Sequence, residues 1–377
     1  MSGVYAVRGG AAETPSAAPS RPSAPGIGAR HGHGVPFMLP AVAETRFRDV
    51  QAGEPPMTPR RALLALPALL PAGALAQSWS PSRSVRIVVP FTAGGATDAL
   101  ARIMAERLGA ALGQSFVVDN RPGAGGNVGT ELVAKADPDG HTLLMCTIGT
   151  ASINQFLYPR LPFDPVRDFA SIGLVGAVTN AVVVHPGVQA NSFQELLALA
   201  RRQPGRLNYG TPGNGTSGHM SGEYLKFRTG VDINHVPYRG TGALMPDLLG
   251  GRIEIAIDNL PAYLPHIREG RLRILAVTSR ERWFAVPETP TVQESGVERF
   301  EAIAWFGLQA PARTPQAALE RYIAAVGAAV AEPATQARIR DIGASTLPLM
   351  GAEFDRFIAA ENEKWREVVR VANIRLD

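Results

Sequence analysis

From Gln77 onward the chain alternates short apolar runs with segments whose apolar positions recur at helical spacing. Ile87-Val88-Val89 has no polar position, which predicts a strand buried on both faces. Pro90 ends it, because proline has no N–H for a ladder. Leu100, Ile103, Met104 and Leu108 then share one helix face, so a helix follows Gly94-Gly95, capped by Thr97 or Asp98. Further strands are predicted at Phe116–Val118, Thr142–Thr147, Leu207–Tyr209, Ile253–Ile257 and Leu272–Val277. Helices are predicted at Thr130–Lys135, Phe193–Arg201, Pro315–Val330, Ala334–Ile342 and Ala352–Val371. Residues 148–154 are expected to form an outgoing loop. Leu174–Val184 and Ala302–Leu308 are apolar segments expected to cross between two similar strand–helix sets.

This alternation predicts parallel sheets covered by helices on both sides, in two α/β lobes. Each glycine-rich loop follows a strand: 94–95, 123–126 and 210–217. The stretch 236–242 (VPYRGTG) echoes 89–95 (VPFTAGG). In open α/β sheets, ligands sit outside the carboxyl ends of the strands. The loops therefore face a cleft between the lobes, and a helix start behind a glycine turn offers unpaired N–H groups to an anion.

The first 76 residues read differently. Residues 1–56 are rich in Ala, Gly, Pro and Ser, with no sustained apolar period, and are read as a disordered extension arising from a start-site error. Residues 57–76 have the form of an export signal: Arg60-Arg61, an apolar stretch Ala62–Leu75, and the cleavage pattern Ala74-Leu75-Ala76. Arg60-Arg61 leaves general secretion and twin-arginine export both open. Residues 1–76 hold seven arginines and four acids, a charge of +3; 30 basic and 29 acidic groups remain beyond them, a charge of +1. The folded part is therefore near neutral, which argues against nucleic-acid or membrane-surface binding. Cys146, the single cysteine, excludes an intrachain disulfide and reads as a core residue.

The candidate chemistry is sparse. Gly213–Gly218 matches G-x-G-x-x-G after a strand, but Asp232 opens the next strand instead of closing it, which is wrong for ribose binding. There is no G-x-S-x-G turn and no H-E-x-x-H. The histidines lack metal spacing. His219 either reaches a ligand or supports the loop; Arg239 either pairs with an anion or is a solvated rim residue. Asp98 reads as a dipole partner of its helix. Trp305 and Phe306 read as core or hinge packing. No nucleophile, base and oxyanion site assemble, so no enzyme and no cofactor are expected. What remains is a cleft of hydroxyls, amides and backbone N–H groups, suited to holding and releasing a small carboxylate.

The chain resembles the Bug family, the substrate-binding proteins of tripartite tricarboxylate transporters. The likeness runs through VPFTAGGATD (89–98), NRPGAGGNVGT (120–130), DPDGHTLL (137–144), LNYGTPGNGTSGH (207–219), HVPYRGTGAL (235–244), DNLP (258–261) and AWFGLQAPARTP (304–315). It implies an α/β, two-lobed type II periplasmic binding protein with mixed or parallel sheets and an interlobe ligand cleft. On that reading, residues 77–180 with 302–377 form one lobe and 181–301 the other. The resemblance implies a monomeric periplasmic receptor that hands a di- or tricarboxylate, or a related acid, to a membrane permease. A sensor role and, more remotely, a nucleotide-using enzyme at Gly213–Gly218 are the alternatives. It carries ligand contact to Thr92, Ala93, Gly94, Gly95, Asp98, Thr147, Gly149, Asn154, Thr211, Asn214, Thr216, Ser217, Asp258 and Asn259, and no metal. Residues 1–56 have no counterpart in the family, and which acid is bound stays open.

Overall fold

The first strand, β1 (Val85–Val89), lies where the unbroken apolar run predicts it, with four of its five residues buried. The computed structural model describes residues 79–376; the predicted extension (1–56) and export signal (57–76) lie outside them. After β1 come α1 (Ala96–Leu112), β2 (Phe116–Asn120), α2 (Asn127–Ala134), β3 (Thr142–Thr147) and α3 (Asn154–Leu157). The long β4 (Phe169–Val184) leads to α4 (Phe193–Arg202), β5 (Asn208–Thr211), α5 (Ser217–Thr229), β6 (Asn234–Pro237), α6 (Thr241–Leu249) and β7 (Ile255–Asn259). Then follow α7 (Leu264–Arg268), β8 (Arg273–Val277), β9 (Ile303–Pro311), α8 (Gln316–Ala331), α9 (Pro333–Asp341) and α10 (Ala352–Val371).

The strands follow one hydrogen-bonded path, β2-β1-β3-β9-β4-β7-β5-β6, with β8 pairing β4 off that path. The sheet is mixed, not parallel throughout. β1 pairs β2 and β3 in parallel, and β5 pairs β6 and β7 in parallel, as βαβ connections require. The two segments expected to be crossings are themselves strands, β4 and β9, and they pair antiparallel with each other and with their neighbours. β4 is shared: Phe169–Thr179 ladders with β9, while Asn180–Val184 ladders with β7. Its unbroken apolar character follows, since fifteen of its sixteen positions are buried.

Two apolar layers pack around β1, β3 and β9. One holds Leu100, Met104 and Leu108 of α1 with Tyr322 and Val326 of α8; the other holds Trp305 against Phe354 of α10. Trp305 Nε1 and Trp365 Nε1 both donate to the buried Glu361 carboxylate, at 3.0 and 3.1 Å, which braces β9 against α10. Around β5 and β7, Phe193, Leu196 and Leu225 form a separate layer with Tyr209. The expected loop at 148–154 is helical. Thr150 Oγ1 accepts the Thr147 N–H at 3.0 Å, and the chain turns at once into a π-type turn, Gly149–Ile153, that runs into α3. Cys146 lies in the core, where burial pushes its thiol up to about 12.

Behind β5, three rings stack in series: Tyr209 on His235 at 5.0 Å, and His235 on His219 at 4.3 Å. Burial pushes His219 down to about 4. Burial and then the His219 charge push His235 down to about 3. Both rings stay neutral when folded, whereas in the unfolded chain they take protons near pH 6.5. The unfolded state therefore binds more protons below that pH, and folding stability falls as pH drops from about 6.5 toward about 4. His235→Gln should remove up to about 1.4 kcal/mol per pH unit of that loss. Urea midpoints measured across the interval check this; an unchanged slope would refute it.

Candidate functional site

All the parallel strands end on one side, and the loops leaving them meet there. A small pocket, partly open to solvent, lies between them. Phe91 and Thr92 reach it from the end of β1, Thr147 and Ile148 from β3, Pro212 from β5 and Asn259 from β7. The first turns of three helices complete it: Gly95, Ala96 and Thr97 at α1, Thr216 and Ser217 at α5, and Thr241 at α6. Ala304 and Phe306 of β9 form an apolar wall.

Three helix N-termini thus converge on one space. The first amides of each helix have no carbonyl of their own helix to bond, and each carries the positive end of a helix dipole. At α5 the cap is filled: Thr216 Oγ1 accepts from His219 N–H at 3.4 Å. At α1 and α6 the N-cap is a glycine, Gly95 and Gly240, with no side-chain cap. Thr92 Oγ1 is buried in the lining without a hydrogen-bond partner. No Lys, Arg, Asp or Glu contributes to the lining. The site is electropositive through dipoles and donors alone, the environment in which an anion is held without an ion pair.

Asn180 orders one wall. Its carboxamide oxygen accepts Ser217 Oγ at 2.9 Å and Asn259 Nδ2 at 2.7 Å, and its Nδ2 donates to Ser221 Oγ at 3.1 Å. Asn259 Nδ2 also reaches Ser217 Oγ at 3.1 Å. Asn180 sits where β4 leaves β9 and joins β7, so it ties the lining to the junction of the two ladders. Sequence reasoning passed over it; a Thr-Asn pair inside an otherwise apolar run was the available signal.

Of the residues named from the sequence, Thr92, Gly95, Thr147, Thr216, Ser217 and Asn259 line the pocket. The lining also includes Phe91, Ala96, Ile148, Pro212, Thr241 and Ala304, which were not named, together with Thr97, read as a helix cap, and Phe306, read as core or hinge packing. Asp98 lies outside the lining and does not cap α1. Its carboxylate accepts from Gly94 N–H at 3.2 Å, from Asn120 Nδ2 at 3.0 Å and, through both oxygens, from Arg102. Burial opposes ionisation there, but the hydrogen bonds from Arg102, Asn120 and Gly94 hold the carboxyl below its ordinary value. Gly94 is exposed; a side chain there would face open space, and its φ of +92° is what requires glycine. Thr211 lies behind the loop, with its Oγ1 2.7 Å from His235 Nε2. His219 supports that loop, its Nδ1 accepting from Gly215 N–H at 3.2 Å. Asp258 is fully buried beneath Thr241, whose hydroxyl donates to it at 2.7 Å. Arg239 is exposed and outside the lining; its carbonyl accepts the Thr92 N–H at 3.2 Å.

The remaining named residues form a seam where the loops after β1 and β3 meet the loops after β5 and β6. A methyl at Gly149 would lie 2.7 Å from Gly215 O, and one at Gly240 would lie 2.5 Å from Thr92 Oγ1. A methyl at Gly125 would strike Asn214 O, one at Gly215 would strike Asn154 Oδ1, and one at Gly242 would strike Ala93 O. Asn154 Nδ2 donates to Asn127 Oδ1 at 2.6 Å, and Tyr158 Oη donates to Asn214 O at 3.3 Å. The loop at 123–127 therefore joins this seam besides starting α2. Gly213–Gly218 serves the seam and the packing of α5, where a methyl at Gly218 would strike Ile257 O. Its glycines are explained without a nucleotide.

The family model described as tripartite tricarboxylate transporter family receptor matches residues 100–374. Among solved structures, the chain is similar to R. palustris Rpa4515 with adipate, at 38% identity and a TM-score of 0.77, covering 78% of this chain and 99% of that one. It is similar to the periplasmic binding protein BugD at 32% identity and a TM-score of 0.75, covering 78% and 100%. It is similar to MatC (Rpa3494) from Rhodopseudomonas palustris with bound malate at 30% identity and a TM-score of 0.73, covering 77% and 99%. With its mixed α/β sheet and interlobe pocket, the chain belongs to the tripartite tricarboxylate transporter receptors, the two-lobed Bug family of periplasmic solute-binding proteins, which are receptors and not enzymes.

Proposed function

We propose that this protein is an extracytoplasmic receptor that closes on a small di- or tricarboxylate, or a related organic acid, and passes it to a membrane permease. One observation carries the reading: three helix N-termini, two of them without a side-chain cap, converge on a pocket lined by hydroxyls and no charged side chain. A carboxylate oxygen accepts several N–H and O–H donors at once, and it is stabilised by each dipole by about 0.3–1 kcal/mol, more when partly buried. The bound adipate and malate of the similar structures support the acid class. Ligand contact is assigned to Thr92, Gly95, Thr97, Thr147, Thr216, Ser217, Thr241 and Asn259. Residues 77–180 with 302–377 and residues 181–301 are proposed as the closing lobes, in a monomer.

Export is proposed through residues 57–76. Among the described residues no helix is long and apolar enough to cross a membrane. The exported chain should begin at Gln77; an N-terminal peptide upstream of Met57 in purified periplasmic protein would refute both the cleavage site and the assigned start.

Adipate or malate, at a hundredfold excess over its Kd, should raise unfolding free energy by about 2.7 kcal/mol in a thermal-shift or calorimetric assay, whereas NAD and ATP should not. Stabilisation by a nucleotide alone would overturn the receptor reading. Gly242→Ala probes the contact between the start of α6 and the loop after β1. Its methyl strikes Ala93 O across the cleft. Overpacking of about 1–3 kcal/mol then predicts roughly tenfold or greater loss of acid affinity. Undiminished affinity would show that these loops do not meet in the bound form.

A further inference from the structure

Asp258 is a carboxylate walled in behind the pocket, one residue before the lining residue Asn259 and fully buried. Its Oδ2 accepts from Thr241 Oγ1 at 2.7 Å and from Tyr263 Oη at 2.9 Å, and its Oδ1 accepts from Asn259 N–H at 2.6 Å. Tyr263, from the turn after β7, is the titratable group facing it, and burial keeps that phenol protonated, its value well above the ordinary one. Ala181, its partner on β4, and Gly218 of α5, packed against its backbone, bring no charge. Among the described residues no cation pairs with it. An uncompensated carboxylate therefore stands directly behind a hydroxyl that lines the pocket.

A threonine hydroxyl has one proton to donate. While Asp258 is ionised, the Thr241 proton is committed to Oδ2, and the pocket sees only lone pairs on Oγ1. An incoming carboxylate there meets an acceptor with a second negative charge behind it. If Oδ2 carries a proton, the acid donates to Thr241 Oγ1, and the threonine turns its own proton into the pocket. We propose that Asp258 is a positioning residue for ligand binding: it takes up one proton from solvent when an anionic carboxylate binds, thereby making Thr241 a donor, and returns that proton on release. The proposal rests on the carboxylate-receptor reading. Burial, against the hydrogen bonds from Thr241, Asn259 and Tyr263, pushes Asp258 up to about 6, so the uptake falls close to neutral pH. His219 and His235, down at about 4 and about 3, do not titrate in that window.

The test is calorimetry with adipate or malate between about pH 6.5 and about pH 8.5, in paired buffers of different ionisation enthalpy. The intact protein should take up close to one proton per ligand at the upper end, and its affinity should weaken by up to about tenfold per pH unit. Asp258→Asn places a carboxamide N–H where the acid proton would be, so its affinity should stay flat and match the parent's low-pH value. Thr241→Val should weaken binding at the lower pH and flatten the profile as well. Titration of the ligand itself is common to all three proteins, so it cancels in the comparison. If Asp258→Asn fails to fold, proton uptake by the unaltered protein decides. Binding without proton uptake, or parallel pH profiles for the parent and Asp258→Asn, would overturn the proposal and leave the receptor reading intact. Failure of both acids to bind at any pH would overturn both.

Discussion

A helix that follows a parallel strand begins with amides its own carbonyls cannot reach, and such donors are not buried without an acceptor. In this protein three such helices begin at the same cleft. Ordinary side-chain caps would have met the requirement one helix at a time, as Thr216 does for α5. Gly95 and Gly240 leave it open at α1 and α6. The sheet follows from keeping those ends together: β4, buried at nearly every position, belongs to the β9 ladder and then to the β7 ladder, so both halves hang from one strand.

Close approach is the second requirement, and it explains glycines that otherwise look like loop filler. The loops after β1, β2 and β3 meet those after β5 and β6 at close range, with Gly125, Gly149, Gly215, Gly240 and Gly242 each at a place where a methyl would meet an atom of the opposing segment. The seam borders the donor-lined space between the helix starts. Specific polar groups fix the walls around it: Asn180 orients Ser217 and Asn259, and Asp258 orients Thr241.

Local pattern was enough for most elements. β1, α1, β3, α4, α8 and α10 were legible because apolar runs and helical spacing report burial directly. The strand-end rule pointed to the cleft side of the sheet, and the family likeness named Thr92, Thr147, Ser217 and Asn259, which line the pocket there. Pairing direction was less legible, since a buried run reads alike in parallel and antiparallel ladders; hence β4 and β9 read as crossings. Thr241 was missed although its stretch visibly echoes the opening one, because the echo was never carried through to the helix start behind it. Asp98 and Asp258 were taken for ligand contacts because they stand in motifs that resemble the family's. A motif shows that a residue is near a site, not which way its side chain is directed: the partners of Asp98 are Arg102 and Asn120, and the first partner of Asp258 is a threonine.

The lack of a cation in the lining bears on how such a receptor tells loaded from unloaded. Were the proposed closure to occur without a ligand, the first amides of α1 and α6 would lose water and join Thr92 Oγ1, already buried without a partner, and a buried unsatisfied donor costs about 1–3 kcal/mol. A carboxylate satisfies several of these donors together, so its affinity for the closed form exceeds that for the open form by about the penalty it removes. A ligand shifts a conformational equilibrium only through that difference. A fixed arginine would grip an acid more tightly but would also attract it in the open form, where guanidinium and carboxylate both remain accessible. Under the proposed closure, helix-start amides that lose water as the cleft shuts would place the discrimination in the closing step itself, and the acid would leave when the same amides regain water.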